Sequence, residues 1–421
     1  MNLSITANSP NGKIRAIASK SMAHRLLICA AFTDSKTVIR CEQTNDDINA
    51  TVACLSALGA SITRNAPYFT VEPINKHEIN KNATLECKES GSTLRFLLPV
   101  VAALGAESKF ELEGRLPDRP LTPLSDELLS HGVKIIGKNP LYTEGILQGA
   151  EFSIDGNVSS QFISGLLFAL SLLDHDSTLT VTKSIESSAY IDMTCDALAL
   201  FGAPVCREGN VFKISPRGTL HSPKTIEVEG DWSNAAFPLA LGILGGDIEL
   251  LGLNPESSQG DMAIIELLGA FGGNISYDST SGAYRATKSA LCGIDIDASQ
   301  IPDLVPILAT VASVAKGKTT IRGASRLRLK ESDRLGSTCA VLSALGATIK
   351  ESDDGLVIEG VDSLSPASVD SFNDHRIAMS VAVASSVCTG EIKLSRAESV
   401  RKSYPAFFDD MRALGMTCTE I

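Results

Sequence analysis

A short motif repeats six times along this chain and constrains its fold more than any other sequence feature. Each copy contains the end of an amphipathic helix, a glycine and the beginning of a strand. Glycine commonly follows a helix, so one copy would predict only a helix-to-strand turn. Six copies, spaced 69 to 74 residues apart, predict six α/β units of about seventy residues each. The glycines are Gly59, Gly132, Gly202, Gly272, Gly346 and Gly415.

Two domains of three repeats each are the simplest arrangement of these units. A chain of 421 residues is too long for one ordinary core. Alternating runs such as 110–113, 179–182 and 392–394 predict strands between the helices. No Gly- or Pro-rich linker separates the halves, and the best boundary lies near Glu229, after the third repeat.

Composition and charge exclude several classes of function. The net charge of −12 argues against nucleic acid or an acidic membrane as the main partner. The longest apolar run, Phe96–Ala106, has 11 residues, whereas ~20 are needed to span a bilayer. The first residues lack the pattern of a signal peptide. The ten cysteines form no C-x-x-C pair and no metal-type spacing with histidine, which predicts reduced thiols, a cytoplasmic protein and no metal site.

A small-residue segment, 90–93, precedes an apolar helical run from Leu94 to Leu104. Such a helix start offers free N–H groups and the positive end of the helix dipole to an anion. Arg95 follows closely, where a cation is unfavourable for the helix itself. An ordinary helix cap explains the segment alone, but Lys20, Arg334 and Arg376 also lie near predicted helix starts. The recurrence predicts a multiply anionic small ligand, against the alternative of solvated, salt-bridged helix surfaces.

Other segments carry polar groups suited to the same ligand. Arg119 lies between two prolines that restrict the backbone, which would orient a guanidinium or simply form a turn. Ser159 and Ser187 precede predicted helices as anion-binding groups or as structural caps. Asp303 follows Pro302 at another helix start. Alternation in 326–330 predicts a strand, followed by a helix from Glu331 to Leu345.

Three motifs, in this order, closely resemble the 5-enolpyruvylshikimate 3-phosphate synthase family of enolpyruvyl transferases. They are Ser19-Lys-Ser21 with Arg25, Leu329-Lys-Glu-Ser-Asp-Arg334 and Asn373-Asp-His-Arg376. The resemblance covers the whole chain. It implies the two-domain inverse α/β barrel of that family, with six βαβαββ repeats, three per domain. The expected domains are 12–229, and 1–11 together with 230–421.

The resemblance also implies an activity, the 3-phosphoshikimate 1-carboxyvinyltransferase reaction of the shikimate pathway to chorismate and aromatic amino acids. The enolpyruvyl group of phosphoenolpyruvate would pass to the 5-hydroxyl of shikimate 3-phosphate through a tetrahedral intermediate, with release of phosphate. The expected partners are these two small molecules, without cofactor, metal, nucleic acid or membrane. A monomer in the cytoplasm is expected.

Residue roles carried over by motif are implied in the same way. Asp303 would take the proton of the 5-hydroxyl, and Glu331 would protonate the enol carbon with Lys20 in support. Shikimate 3-phosphate would be bound by Lys20, Ser21, Arg25, Ser159, Ser160, Gln161, Ser187, Tyr190, Asp303 and Lys330. Phosphoenolpyruvate would be bound by Lys20, Gly91, Arg119, Gln161, Arg334, Arg376 and Lys402.

Two positions depart from the family pattern, and two alternatives remain. Glu89 replaces a usual amide, and Arg326 replaces a usual Asn. Because Gly91 is retained, sensitivity to glyphosate is expected. One alternative is a UDP-N-acetylglucosamine enolpyruvyl transferase, which normally carries a reactive Cys where this chain has Gly114. The other is a non-catalytic phosphometabolite-binding protein.

Overall fold

The computed structural model describes residues 1–7, 9–75, 77–215 and 219–421. The chain divides into two compact units. The continuous unit is Ala18–Val228, and the discontinuous unit combines Met1–Ile17 with Glu229–Ile421. The divisions therefore fall after Ile17 and Val228, whereas the predicted divisions fell after Asn11 and Glu229.

Within its described residues, the continuous unit contains six α-helices and three four-stranded sheets. The helices are α1 Lys20–Ala31, α2 Asp46–Leu58, α3 Gly91–Ala103, α4 Leu124–Ser130, α5 Ser160–Leu170 and α6 Ser188–Leu200. The strands are β3 Thr37–Arg40, β4 Ser61–Asn65, β5 Tyr68–Glu72, β6 Thr84–Lys88, β7 Lys109–Leu112, β8 Val133–Gly137, β9 Leu141–Gly145, β10 Glu151–Asp155, β11 Ser177–Thr182, β12 Cys206–Glu208, β13 Val211–Ile214 and β14 Thr225–Glu227.

The described part of the discontinuous unit also contains six α-helices and three four-stranded sheets. Its helices are α7 Trp232–Gly245, α8 Ile264–Ala270, α9 Val305–Ala312, α10 Arg334–Ala344, α11 His375–Ala384 and α12 Phe407–Ala413. Its strands are β1 Leu3–Ala7, β2 Asn11–Arg15, β15 Asp247–Leu251, β16 Asn274–Asp278, β17 Ala283–Thr287, β18 Asp295–Asp297, β19 Lys318–Arg322, β20 Thr348–Glu351, β21 Leu356–Glu359, β22 Ser368–Asp370, β23 Ile392–Ser395 and β24 Met416–Glu420.

All six sheets share one topology, which confirms the predicted six repeats. In β6-β7-β9-β8, for example, the first two strands are parallel and the remaining pairs are antiparallel. The βαβαββ order follows the chain directly in three sheets. In the sheet β22-β23-β1-β24, the N-terminal strand β1 takes the third place, which the last strand of the repeat takes in those three sheets. The six repeat glycines all have positive φ, between 79° and 123°, as a residue ending a helix in this way requires.

In each unit, the first strand of one repeat lies in sequence directly before a helix of the other unit. β2 pairs in parallel with β15 in the discontinuous unit, although the next helix in sequence is α1. β14 pairs in parallel with β3 in the continuous unit, although the next helix is α7. These two crossings explain why the units divide after Ile17 and Val228, and no local sequence pattern indicates them.

Half of the described helices are buried almost all round, and half of the candidate site residues lie at the starts of these helices. All ten residues of α11 and all eight of α9 are buried, as are 13 of the 14 residues of α7. In α1, α3 and α5 the buried residues number 10 of 12, 11 of 13 and 10 of 11. The other helices are amphipathic and cover the outside, with only six of the 13 residues of α2 buried. Each unit has its own apolar core. Among the described residues, no helix has the length and apolarity needed to cross a membrane.

Candidate active site

Asp303 is the centre of a charge network in the discontinuous unit. It lies in a short 3-10 helix, Pro302–Leu304, directly before α9. Arg334 NH1 donates to its Oδ1 at 2.9 Å, and Arg376 NH2 donates to its Oδ2 at 3.1 Å. Lys330 Nζ lies 3.6 Å from Oδ1. Burial opposes ionisation of this carboxyl, but the three cations hold its pKa well below the ordinary value.

Arg334 connects Asp303 to two further carboxylates. Its side chain is 1% exposed, at the first position of α10. NH2 donates to Glu331 Oε2 at 2.6 Å, and Nε donates to Asp374 Oδ2 at 2.9 Å. Burial alone would lower the arginine's pKa, but Asp374, Glu331 and Asp303 raise it. Arg334 is therefore a fixed cation, and the expected binding and proton-transfer residues of this unit, apart from Lys402, form one network.

Asp374 is the fully buried carboxylate of this network. Its carboxylate is fully buried and accepts from Arg334, from Ser332 Oγ at 3.1 Å and from the backbone N–H of Arg376 at 2.9 Å. It therefore caps α11 and orients the guanidinium of Arg334. The sequence placed Asp374 in a motif but assigned it no role, because its partners lie up to 42 residues away.

Lys402 and Asp261 lie at the margins of the network. Lys402 ends the 3-10 helix Ala397–Lys402 and donates to the carbonyl of Asn373 at 2.8 Å, directly before α11. Asp261 is 1% exposed and accepts a hydrogen bond from Ser233 Oγ. Burial, followed by the charge of Asp303, raises the pKa of Asp261 to about 6, against the opposing influence of Arg376. Sequence reasoning did not identify Asp261.

The segment 326–330 corrects one prediction. It is not a strand: Ser325–Leu329 forms a 3-10 helix, and α10 begins at Arg334 rather than at Glu331. The alternating pattern was misleading, because Leu327 is buried while Leu329 is half exposed. Arg326 donates from NH2 to the carbonyl of Ser299 at 2.8 Å.

In the continuous unit, Lys20 is the first residue of α1 and forms an ion pair with Asp47. Its Nζ lies 2.9 Å from Asp47 Oδ2, and both side chains are less than 15% exposed. Ser19 caps the helix by accepting from the N–H of Met22. Asp47 was not predicted, since it belongs to another helix and no local pattern links it to Lys20.

Arg25 is held by neutral oxygens. Nε donates to Thr194 Oγ1 at 2.9 Å, and NH1 and NH2 donate to the carbonyls of Ser21 and Tyr190, each at 2.6 Å. The guanidinium also lies 5.1 Å from the ring centroid of Phe96. Burial lowers its pKa to about 10, so it stays charged at neutral pH. Arg25 thereby connects α1 to α6, where Tyr190 lies.

Gln161, the second residue of α5, has its amide fixed from both sides. Its Oε1 accepts from Arg95 NH1 at 2.8 Å, and its Nε2 donates to Ser92 Oγ at 2.9 Å. Arg95 lies at the fifth position of α3, past the first turn, and its guanidinium is 5.2 Å from the ring centroid of Phe162. The cation that the sequence linked to an anion thus orients a neighbouring amide.

Gly91 and Gly114 each lie against a charged side chain from another segment. A Cβ at Gly91 would lie 2.7 Å from Arg119 NH1. A Cβ at Gly114 would lie 2.6 Å from Glu89 Oε2, and the φ of Gly114 is +57°. The start of α3 and the loop carrying Arg119 therefore pack closely, with a glycine on each side.

Serines begin three of the helices in different ways. Ser90 caps α3 through the N–H of Thr93, as the structural interpretation predicted. Ser159 and Ser187 precede α5 and α6, but neither side chain accepts a capping hydrogen bond. Ser160 is the buried first residue of α5. Among the described residues, no group of three or more His, Cys, Asp or Glu side chains is arranged to hold a metal ion.

Known proteins are similar to this chain over nearly its whole length. Residues 6–411 match the family model for EPSP synthase (3-phosphoshikimate 1-carboxyvinyltransferase). The 3-phosphoshikimate 1-carboxyvinyltransferase of Clostridium kluyveri is 40% identical, with 98% of this chain and 97% of that protein covered. That of Clostridium acetobutylicum is 41% identical, with 96% and 95% covered.

Solved structures show the same fold. EPSP synthase from Acinetobacter baumannii superposes with a TM-score of 0.82 at 25% identity, and both chains are fully covered. Family model, relatives and fold agree with the motifs around Lys20, Arg334 and Arg376. The chain belongs to the EPSP synthase (3-phosphoshikimate 1-carboxyvinyltransferase) family.

Proposed function

We propose that this protein transfers the carboxyvinyl group of phosphoenolpyruvate to the 5-hydroxyl of shikimate 3-phosphate and releases phosphate. The observation that carries the proposal is the network in which Asp303 and Glu331 share Arg334. Two carboxylates beside fixed cations supply what this reaction needs, namely proton transfer and compensation of phosphate and carboxylate charge. Family membership over the full length supports the same reaction.

Asp303 is the proposed base. The 5-hydroxyl oxygen attacks C2 of phosphoenolpyruvate as its proton passes to Asp303, and Glu331, in its protonated form, donates a proton to C3. The Glu331 carboxylate then takes a proton back from C3 of the tetrahedral intermediate, and phosphate leaves with the proton held by Asp303. Arg334 and Arg376 lower the basicity of Asp303 here, so anionic substrate groups that draw on these cations would increase it. Lys402 and the two arginines are the proposed phosphoenolpyruvate ligands of this unit, and Lys330 is proposed to contact shikimate 3-phosphate.

The continuous unit is proposed to supply further binding groups. For shikimate 3-phosphate they are Lys20, Ser21, Arg25, Ser159, Ser160, Gln161, Ser187 and Tyr190. For phosphoenolpyruvate they are Lys20, Gly91, Arg119 and Gln161. Two contacts support these roles: Gln161 is oriented by Ser92 and Arg95, and Gly91 leaves room for the Arg119 guanidinium. Preorganised donors of this kind lose little freedom on binding.

The UDP-N-acetylglucosamine alternative has less support. A cysteine at position 114 would need a left-handed backbone, and its Cβ would clash with the Glu89 carboxylate. Glu89, itself a departure from the family pattern, therefore matches the absence of a side chain at Gly114. The non-catalytic alternative conflicts with the intact network of Asp303, Glu331 and Arg334.

We also propose that the protein acts as a monomer in the cytoplasm. The ten cysteines are all free thiols, which fits a reducing compartment. Light scattering at micromolar concentration tests the monomer, and a mass corresponding to two or more chains would contradict it.

The deciding experiment measures phosphate release from phosphoenolpyruvate with shikimate 3-phosphate or UDP-N-acetylglucosamine as acceptor. We expect phosphate release only when shikimate 3-phosphate is the acceptor. Release with only the nucleotide sugar would support the sibling activity. Release with neither, from folded protein that still binds phosphoenolpyruvate by calorimetry, would support the non-catalytic alternative.

A further inference from the structure

Four buried side chains form a continuous hydrogen-bonded chain between three helices of the continuous unit. His24 Nδ1 lies 2.7 Å from Thr51 Oγ1, and Thr51 Oγ1 lies 2.7 Å from Thr93 Oγ1. Thr93 Oγ1 lies 2.8 Å from Ser90 Oγ. The four residues are at most 1% exposed. The chain begins in α1, passes through α2 and ends at the residue that caps α3.

The direction of the hydrogen bonds follows from counting protons. A hydroxyl carries one proton, and Thr93 donates its proton to Ser90 Oγ at 2.8 Å, with the carbonyl of Asp47 as a more distant acceptor at 3.5 Å. Thr93 must then accept from Thr51 in their contact. Thr51 has thereby used its only proton, so it must accept from His24. The proton on the His24 ring is therefore on Nδ1.

The opposite ring nitrogen agrees with this assignment. Nε2 of His24 is buried and has no hydrogen-bond partner in the part of the chain that the structure describes. A bare lone pair tolerates that position better than an N–H, because buried N–H groups without acceptors are rarer and costly. Burial, with smaller contributions from the charges of Lys20 and Arg25, lowers the pKa of His24 well below its ordinary value. The imidazole is therefore neutral at neutral pH.

The far end of the chain reaches the start of α3. Ser90 Oγ accepts from both the hydroxyl and the backbone N–H of Thr93, which fixes the first turn of the helix. Gly91 comes next, packed against Arg119. A small displacement of this turn would move the surface against which Arg119 rests.

We propose that His24 is a positioning residue for phosphoenolpyruvate, starting a one-way hydrogen-bond chain that fixes Ser90 and Gly91. This inference rests on the proposed function, since it takes Gly91 and Arg119 as phosphoenolpyruvate-binding residues. His24 itself is buried and acts only through Thr51 and Thr93. Its neutral form with the proton on Nδ1 is the feature that the chain requires.

The ring tautomer can be measured without any substrate. In the folded, 15N-labelled full chain, two-bond 1H–15N correlation spectra distinguish a protonated nitrogen from a bare one. We expect Nδ1 of His24 to be protonated and Nε2 to be bare, with the signals assigned by their loss in His24→Asn. A proton on Nε2 would reverse the chain and overturn the proposal.

Kinetics then separate a positioning role from a general structural one. His24→Leu and Thr51→Val each break the chain, and each should raise the KM for phosphoenolpyruvate by roughly 5- to 10-fold, as expected for the loss of one buried hydrogen bond. The kcat and the KM for shikimate 3-phosphate should stay within about twofold of wild type. The double variant should be no worse than the worse single variant, since both changes remove the same chain.

His24→Asn is the conservative variant, because its amide N–H can donate to Thr51 in place of Nδ1. Recovery of most of the phosphoenolpyruvate affinity supports the proposal, and a His24→Asn enzyme as impaired as His24→Leu contradicts it. Equal effects on both KM values and on kcat, together with a lowered Tm, would also contradict it. An inactive wild-type protein would instead refute the proposed function, while the tautomer would still test the chain.

Discussion

Arg334 and Arg25 are both almost fully buried arginines of candidate site helices, yet they are held in opposite ways. Arg334 donates to the carboxylates of Asp303, Glu331 and Asp374. Arg25 donates to a hydroxyl and two carbonyls, and it forms no ion pair with a carboxylate of the described residues. The carboxylates raise the pKa of Arg334, whereas burial lowers that of Arg25 to about 10.

The difference shows two ways of preparing a cation for an anionic ligand. Around Arg334 the charge is already balanced, so a ligand must exchange with a carboxylate and thereby changes the basicity of Asp303. Around Arg25 the charge is held only by dipoles, so a ligand's negative charge adds to what the protein supplies. The first arrangement suits proton transfer, and the second suits binding.

Replacing Asp303 beside Arg334 should have the largest effect of the changes considered for the two arginines. Asp303→Ala should lower kcat by about 10²- to 10⁴-fold, the range for loss of a general base, while binding of shikimate 3-phosphate is largely retained. Phosphate release and calorimetry measure the two quantities. Asp295→Ala, an exposed aspartate on β18, is the matched control and should behave as wild type. Retention of more than a tenth of kcat in Asp303→Ala would remove its role as base.

Asp374→Ala tests the balance of charge behind Arg334. It leaves a buried arginine without one of its carboxylates, so the free energy of unfolding should fall by about 3–5 kcal/mol. Asp370→Ala removes a more exposed partner of Arg396 and should cost at most about 1 kcal/mol. Thr194→Val, which removes a neutral partner of Arg25, should cost about 1 kcal/mol. Urea unfolding measures these free energies. Equal decreases for Asp374→Ala and Thr194→Val would contradict the difference between the two arginines.

Asp261 should make the discontinuous unit's stability depend on pH. Its folded pKa of about 6 lies above the unfolded value of about 3.9. The unfolded state therefore loses the proton first, and the free energy of unfolding falls as pH rises from about 4 to 6. The drop is about 2–3 kcal/mol relative to Asp261→Asn, which cannot titrate. Urea unfolding of both proteins at several pH values measures it, and parallel curves would contradict the raised pKa.

Gly91→Ala, in the continuous unit, should have the smallest effect of the four changes. The added methyl lies 2.7 Å from Arg119 NH1, so the flexible guanidinium must shift. We expect a roughly tenfold rise in the inhibition constant of glyphosate, about 1.4 kcal/mol, with some loss of phosphoenolpyruvate affinity. Gly269→Ala, in α8 with open space around it, is the control. Identical glyphosate inhibition of Gly91→Ala and wild type would remove the expected role of Gly91.

Site residues could be predicted where a local motif carried them, but their partners could not. Arg334 and Arg376 stood out because cations are unfavourable at helix starts. Asp47, Asp261 and the orientation of Gln161 were missed, since each depends on a side chain from a distant segment. The contact of Arg95 with the amide of Gln161 was missed in the same way, since the sequence linked this cation only to an anionic ligand.

The sequence by itself determined the six α/β repeats, because a helix that ends in a left-handed glycine leaves a mark at every copy. Gly59 and Gly415 carry it as clearly as the four copies between them. Only the tertiary structure decided that β2 and β14 exchange places, that the carboxylates of Asp303 and Asp374 converge on Arg334, and that hydrogen bonds link His24 to Ser90 through two threonines. The physical reason is range: backbone preferences act within one turn, whereas strand pairing and buried charge compensation depend on segments that packing brings together.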